Sequence, residues 1–245
     1  MEAFVILSDI HANLTALRAV LAHAAAHYRD YSVIILGDII NYGMRPNETV
    51  EEIRRLTVPI KVLLSGNHES ALFGGDTSRF STDRGRAVLG VTRRLLSEES
   101  CAFLRREQHC RPSCEFTTEG GKKVLAVHGS CDDPLWGTVK SATVRRELYA
   151  GYDYVLSGHS HVPHLMEEFF DADAPELRNR HRTAFINPGS VGQPRNQNPA
   201  AQYAYWEPET ETLHFNSVPY DIECEQALYI PEIDPFYSRR LERGI

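Results

Sequence analysis

No apolar run in this chain approaches the roughly 18–20 residues that a bilayer-spanning helix requires, so no membrane segment is expected. The opening MEAFVILSDIHANL lacks a basic leader and a small-residue cleavage site, so no signal peptide is expected either. Positive charge is short: 26 Lys and Arg stand against 33 Asp and Glu, a net charge of −7. That balance leaves no broad footprint for a nucleic-acid backbone. Cysteine is scarce and odd in number. Cys101, Cys110, Cys114, Cys131 and Cys224 include no C-x-x-C pair, which argues against a disulfide framework or a zinc ribbon. Free thiols in a reducing cytoplasm are the expectation. Linkers, repeats and low-complexity tracts are missing too, so residues 1–245 read as a single domain, with 223–245 as a peripheral C-terminal strap.

What is present is ordinary globular composition, 42% hydrophobic and 24% charged. Residues 3–7, 33–36 and 60–64 are short, mostly apolar runs rich in β-branched side chains, which fits strands covered on both faces. Between them, Leu14, Leu17, Leu21, Ala24 and Tyr28 recur at helical spacing behind Asn13, a candidate N-cap. Pro46 suits the first turn of a second helix that carries Val50, Ile53 and Leu56 inward. The stretch 83–107 reads as two helices, with Ala87, Val88, Val91 and Leu95 as one stripe and Ser97 capping the second. Strands return at 124–127 and 154–156 around a helix near 142–149. From 164 onward, strands at 164–170, 183–186, 202–206 and 212–218 without long helices read as an antiparallel half. Two sheets packed face to face with helices outside account for both halves.

Polar residues fall where these strands end. The first strand runs into Asp9 and His11, the second into Asp38, the third into Asn67, His68 and Glu69, and the later two into His128 and into His159 and His161. In α/β sheets, sites collect at the carboxyl ends of strands. A lone Asp there is usually a cap or turn residue, and a lone buried His is usually a hydrogen-bonded core residue. Five independent strand ends agreeing is a different matter. Carboxylates, imidazoles and one amide oxygen, with no thiolate, suit Mn²⁺, Fe or Zn²⁺. Asp9, His11, Asp38, Asn67, His128, His159 and His161 are too many for one tetrahedral ion, but fit two ions if a carboxylate bridges. Asp9/His11 and His159/His161 have the i, i+2 spacing that places both side chains on one face of an extended strand. His23 and His27 lie off the apolar stripe and read as solvated, and His109, His164, His181 and His214 have no convergent partners.

Asp9-x-His11, GDIINYG at 37–43, GNHE at 66–69, His128-Gly129 and GHSH at 158–161, in that order, resemble the motif blocks of the calcineurin-like metallophosphoesterases. INPGSVGQPR at 186–195 resembles a signature of their small bacterial single-domain phosphodiesterase branch, some members of which cleave diadenosine polyphosphates. The resemblance implies an α/β fold, a four-layer α/β/β/α sandwich of two mixed β-sheets flanked by helices. It implies one ion held by Asp9, His11, Asp38 and His161 and another by Asp38, Asn67, His128 and His159, with Asp38 bridging. His68 is then the general acid, and a hydroxide held between the ions is the nucleophile. Mn²⁺ is the expected activating metal, with Fe or Zn²⁺ as alternatives. Two divalent ions against two carboxylates would leave the site positive, which explains how an acidic protein attracts phosphate. Glu69 is open between salt-bridge partner, helix cap and chemical participant.

In relatives that are protein phosphatases the second block is GDxxDRG. Here Asn41 stands for the Asp that supports the histidine, and Tyr42 for a phosphate-binding Arg. That departure argues against efficient protein phosphatase activity. Asn41, Tyr42, Asn187 and Arg195 are candidate substrate contacts, although the 186–195 loop reads equally as a turn that shapes a sheet edge. The loop at 70–81 is expected to shape the cleft. The function expected is metal-dependent hydrolysis of a small phosphodiester or nucleotide in the cytoplasm, with neither a nucleic-acid polymer nor a membrane as partner. A dinucleoside polyphosphate hydrolase, a protein serine/threonine phosphatase and a non-catalytic metal-binding scaffold are the alternatives. His68 and the full ligand set argue against the scaffold. A DNA-processing nuclease would need added capping segments and a basic face.

Overall fold

The computed structural model describes residues 2–80, 82–106 and 111–245. His109, Cys110 and residues 81 and 107 of two segments discussed above lie outside the described residues. The strands in chain order are β1 (Phe4–Leu7), β2 (Ser32–Ile35), β3 (Ile60–Leu63), β4 (Ser113–Thr117), β5 (Lys123–Val127), β6 (Tyr154–Ser157), β7 (His164–Asp171), β8 (Arg180–Asn187), β9 (Ala201–Glu207) and β10 (Thr212–Val218). They form one sheet in the order β10-β9-β1-β2-β3 and a second in the order β4-β5-β6-β8-β7. Within the first, β1, β2 and β3 are parallel and β9 runs against both β1 and β10. Within the second, β5, β6 and β8 are parallel, with antiparallel edges at β4 and β7. The later part of the chain is therefore mixed rather than antiparallel throughout, because β8 pairs with β6 on one side and with β7 on the other. The half-exposed edge strand β4 has no clean apolar run, which hid it in the sequence.

Period-two alternation splits the first sheet between two cores. Phe4, Ile6, Ile34, Leu36 and Trp206 meet Val124, Ala126, Tyr154, Leu156 and Ile186 of the second sheet in the layer between the sheets. Val5, Leu7, Val33 and Ile35 face the other way, onto α1 (Leu14–His27) and α2 (Pro46–Arg54). Asn13 caps α1 by accepting from Ala16 N–H at 3.0 Å, and Pro46 opens α2. The helices α3 (Asn67–Leu72), α4 (Asp83–Leu95) and α5 (Glu98–Leu104) follow on. Ser97 caps α5, accepting from Ser100 N–H. The buried stripe of α4 is Gly85, Val88, Leu89, Val91 and Thr92, so Val88 and Val91 lie inward as expected while Ala87 and Leu95 turn to solvent. On the outer face of the second sheet the helical layer is thin. The helix expected near 142–149 is a 3₁₀ turn at Ser141–Thr143 followed by α6 (Arg146–Tyr149), and Tyr149 packs on Phe185. The C-terminal stretch carries α7 (Ile222–Gln226) and α8 (Phe236–Arg239), whose Tyr237 and the preceding Ile233 join Tyr42, Val88 and Val91 in a fourth cluster. Among the described residues no helix is long and apolar enough to cross a membrane.

Candidate metal centre

The loops after β1, β2, β3, β5 and β6 converge, and the polar residues read at those strand ends meet there. The pleat spacing does not position them. β1 stops at Leu7 and β6 at Ser157, short of the two pairs. Asp9, His11, Asp38, His159 and His161 all take left-handed backbone, with φ of 53°, 50°, 52°, 62° and 59°. Each such non-glycine residue costs roughly 1 kcal/mol or more, and such strain gathers where function over-determines a loop. Gly66 has no alternative: a Cβ there would fall on the Asp38 carboxylate.

One ligand atom from each of Asp9, His11, Asp38 and His161 lies within 4.8 Å of the others, and the same holds for Asp38, His128 and His159. Asn67 Oδ1 joins the second group, 3.0 Å from His128 Nε2 and 3.0 Å from His159 Nδ1. Asp38 belongs to both sets. The donor atoms fit a cation. His11, His128 and His161 give their Nδ1–H to the carbonyls of Ile40 (3.2 Å), Leu36 (2.8 Å) and Gln193 (2.6 Å). Their Nε2 lone pairs are thereby turned inward, those of His11 and His161 facing one another at 3.2 Å. Asp9 Oδ1 and Asp38 Oδ2 are buried and accept no hydrogen bond. Lone pairs set against lone pairs in a buried site are unfavourable unless positive charge lies between them. His128 shows the demand: burial opposes its charge, yet Asp38 overrides burial and raises its pKa to about 9. For Asp9, burial pushes the pKa up, but His161 and His128 together more than reverse this and it lies well below the usual carboxylate range.

His68 starts α3 beside this cluster, its backbone N–H on Asp38 Oδ1 at 3.0 Å and its Nε2 3.8 Å from Asp38 Oδ2. Burial lowers its pKa to about 4, against the pull of Asp38. Glu69 is a scaffold for the loops. Its carboxylate accepts from the N–H groups of Asp38 (2.9 Å), Ile40 (3.0 Å) and Gly66 (2.8 Å), clasping the second block to the third. Burial, then the charge of Asp38, raises its pKa to about 7. A 340 Å³ cleft opens over the cluster, walled by Tyr42, Phe80, Trp136 and Arg195.

The family model for the calcineurin-like phosphoesterase superfamily domain matches residues 2–211. The chain belongs to that superfamily. It is 31% identical over 230 residues to an uncharacterized protein of Methanocaldococcus jannaschii, covering 89% of this chain and 88% of the relative. A crystal structure of a metallophosphoesterase from Sphaerobacter thermophilus is 30% identical and superposes with a TM-score of 0.76 over 100% of this chain and 99% of the other. The fold is shared as well with a hypothetical protein of Pyrococcus horikoshii, at 22% identity and a TM-score of 0.77, covering 100% of this chain and 99% of that one.

Two expected substrate contacts of this phosphoesterase do not face the cleft. Asn187 lies under the GHSH loop, its Nδ2 donating to Gly158 O at 2.8 Å and to Ser160 Oγ at 3.1 Å. Asn41 is buried behind His68, 2.6 Å from its Nδ1. Tyr42 and Arg195 do line it. The 186–195 loop buttresses the ligand loops: Ser190 Oγ donates to Asp9 O at 2.8 Å, Gly192 N–H to the same oxygen at 3.0 Å, and Gln193 O receives His161 Nδ1–H. A Cβ on Gly192 would collide with the carbonyl of Ile10, so this contact needs glycine. The reading from sequence missed Arg79, Phe80 and Trp136 on the cleft wall. Phe80 lies in the loop flagged at 70–81, and Trp136 is one of only two tryptophans, which is the single compositional hint.

Proposed function

We propose that this phosphoesterase hydrolyses a small phosphodiester or nucleotide with two divalent transition-metal ions, Mn²⁺ serving best. Asp9, His11, Asp38 and His161 would hold one ion, and Asp38, Asn67, His128 and His159 the other. The carrying observation is Asp38, one carboxylate shared by two ligand sets whose lone pairs all point inward. When bound, such a pair neutralises phosphoryl oxygens and acidifies a water for in-line attack. The chain's own residues do the rest. His68 presents its ring to the cleft within reach of a leaving oxygen and supplies a proton or a hydrogen bond there. Arg195 adds positive charge at the cleft wall, and Phe80 and Trp136 exclude water on the opposite side.

A dinucleoside polyphosphate is the second reading, favoured by Arg195 at the flank of the cleft. The intact set of donors and His68 weigh against a purely structural metal site. A panel of aryl diesters, phosphomonoesters, phosphopeptides and dinucleoside polyphosphates, assayed with and without added Mn²⁺, tests the proposal. Turnover of a diester or dinucleotide that depends on the metal is the expected result. Metal-replete protein that turns over none of them would overturn it.

A further inference from the structure

The two tryptophans of this chain stand in different places. Trp206 is 1% exposed, in the layer between the sheets, whereas Trp136 is half-buried and lines the cleft. The loop that carries Trp136 begins at His128, a candidate ligand, and closes tightly on itself. Gly129 N–H donates to Pro134 O at 2.8 Å, and the N–H groups of Ser130 and Gly137 both donate to Asp133 O, at 3.1 Å and 2.9 Å. Asp133 Oδ1 then accepts from Trp136 N–H at 3.2 Å. The indole is thereby held beside the metal centre, its ring centroid 6.1 Å from that of His159 at 82°.

Phe80 reaches the same place from the loop after α3. Its ring meets that of His68 at 5.1 Å and 76°, and that of Trp136 at 5.2 Å and 90°. Arg86 fixes it by donating to its carbonyl at 2.9 Å. Arg79, the residue before it, crosses between the two loops. Its Nη2 pairs with Asp133 Oδ2 at 2.6 Å, and its guanidinium carbon lies 5.4 Å from the centroid of the Trp136 ring. One carboxylate therefore holds both the indole and the cation against that indole. A wall that only kept water out would be served as well by aliphatic side chains. Fixed aromatic rings beside a guanidinium are what binds a flat heteroaromatic ring.

We propose that Trp136, with Phe80 and Arg79 beside it, is a platform on which a nucleobase of the substrate stacks while its phosphate lies at the metal centre. The substrate class this selects is a nucleoside phosphoester rather than a phosphodiester of aliphatic alcohols. The place of the phosphate rests on the phosphoesterase reading above; the platform itself is built from these three side chains. Every base has a π-face, so stacking by itself accepts any of them. Arg79 gives Asp133 only part of its donor fork, and the remaining N–H groups suit the acceptors on a purine edge.

The test compares two phosphonates in which a CH₂ replaces the ester oxygen, so that neither can be hydrolysed: the isosteres of adenosine 5′-phosphate and of ribose 5-phosphate. Each is titrated into the full chain with Mn²⁺ present, by calorimetry and by tryptophan fluorescence. The adenosine compound should bind about tenfold or more tighter, the increment of one stacked base. It should also quench the fluorescence more than the ribose compound does, and because Trp206 is sealed in the core the difference reports on Trp136. Trp136→Leu should erase most of the affinity gap, and Trp136→Phe should keep part of it. The quench in the wild type locates the base even if the Leu variant fails to fold. No gap in the wild type, a gap without the quench, or a gap that survives in the folded Leu variant overturns the platform. A protein that shows the gap and the quench but hydrolyses no ester sinks the phosphoesterase reading and leaves the platform standing. A diester hydrolase with no gap does the reverse.

Discussion

Asn41 Nδ2 lies 2.6 Å from His68 Nδ1, and the hydroxyl of Thr92 donates to Asn41 Oδ1 at 2.8 Å. With its oxygen taken by Thr92, the amide offers an N–H to the ring. Nδ1 therefore accepts, and the neutral ring keeps its proton on Nε2, the nitrogen that faces Asp38 and the cleft. A carboxylate at position 41 would do the opposite, accepting from Nδ1–H and raising the pKa of the imidazolium.

His68→Ala should keep fold and metal content but lose turnover by roughly 10²–10⁴-fold, the usual worth of a placed proton donor. The loss should be greater for alkyl esters than for nitrophenyl esters, because nitrophenolate leaves without a proton. Rates on paired substrates check this. Equal losses on both would leave His68 as a phosphate binder only.

Asn41→Asp should change the shape of the pH–rate profile. In the native protein burial holds His68 near a pKa of about 4, so its protonation state is constant through neutral pH. The added negative charge raises that pKa. Nε2 then carries a proton only below the raised value, so kcat should fall as pH rises through it. An unaltered profile between pH 5 and 9 on the same diester would mean that Asn41 does not set the proton's position.

Glu69→Gln keeps size but places an amide NH₂ against three backbone N–H donors. Leaving buried donors unpaired costs about 1–3 kcal/mol each at worst, so a loss of roughly 2–4 kcal/mol in urea unfolding is expected. Metal affinity should fall with it, since Glu69 clasps the loop that carries Asp38. Unchanged stability would show that the clasp is dispensable.

Asp38→Asn should lower occupancy of both metal positions together. Asp38 Oδ2 is 3.8 Å from His11 Nε2 and 3.4 Å from His128 Nε2, one nitrogen from each ligand set. A neutral amide is a poor bridge between two cations. Elemental analysis of the variant beside the native protein reads the result. Native protein that takes up at most one ion under replete conditions would remove the dinuclear reading itself.

The strands and the site were readable from sequence for different reasons. Apolar runs such as 3–7 and 33–36 mark strands because a sheet covered on both faces has no polar positions to interrupt them. The candidate ligands stood out because each sits just past such a run beside chemistry that a core has no use for. Their backbone was not. Nothing in Asp9-Ile10-His11 announces two residues at positive φ, because that strain is imposed by Gly37 O, Asp38 O and the 186–195 loop from elsewhere in the chain. Asn187 and Asn41 were misread for a related reason: a polar residue next to a motif supports it from behind as readily as it faces the substrate. The docking of the C-terminal stretch onto Tyr42 was hidden as well, a long-range contact with no local signature.

Diesters or phosphoanhydrides should be preferred over phosphoserine and phosphothreonine peptides. A monoester dianion concentrates charge on its outer oxygens and gains from an arginine fork beside the metals. In GDIINYG the position of that arginine is held by Tyr42, whose ring packs on Tyr237 and lies 4.7 Å from the His11 ring. Burial raises its phenol pKa, so it remains a neutral hydroxyl and brings no charge to the phosphate. A diester carries one negative charge, which two cations can neutralise unaided. The walls point the same way. Phe80 and Trp136 meet edge to face at 5.2 Å and close one side of the cleft, and the Arg79–Asp133 ion pair at 2.6 Å braces that side. A small substrate with an apolar or aromatic ester group fits between such walls, whereas a peptide backbone flanking a phosphoserine would have to cross them. Steady-state kinetics with Mn²⁺ decide it: kcat/KM for phosphopeptides should be at least about tenfold below that for the better of an aryl diester and a dinucleoside polyphosphate, the loss of one charge-assisted contact. Equal or higher values for the phosphopeptides would mean that Tyr42 does not set the preference and that the cleft admits a polypeptide.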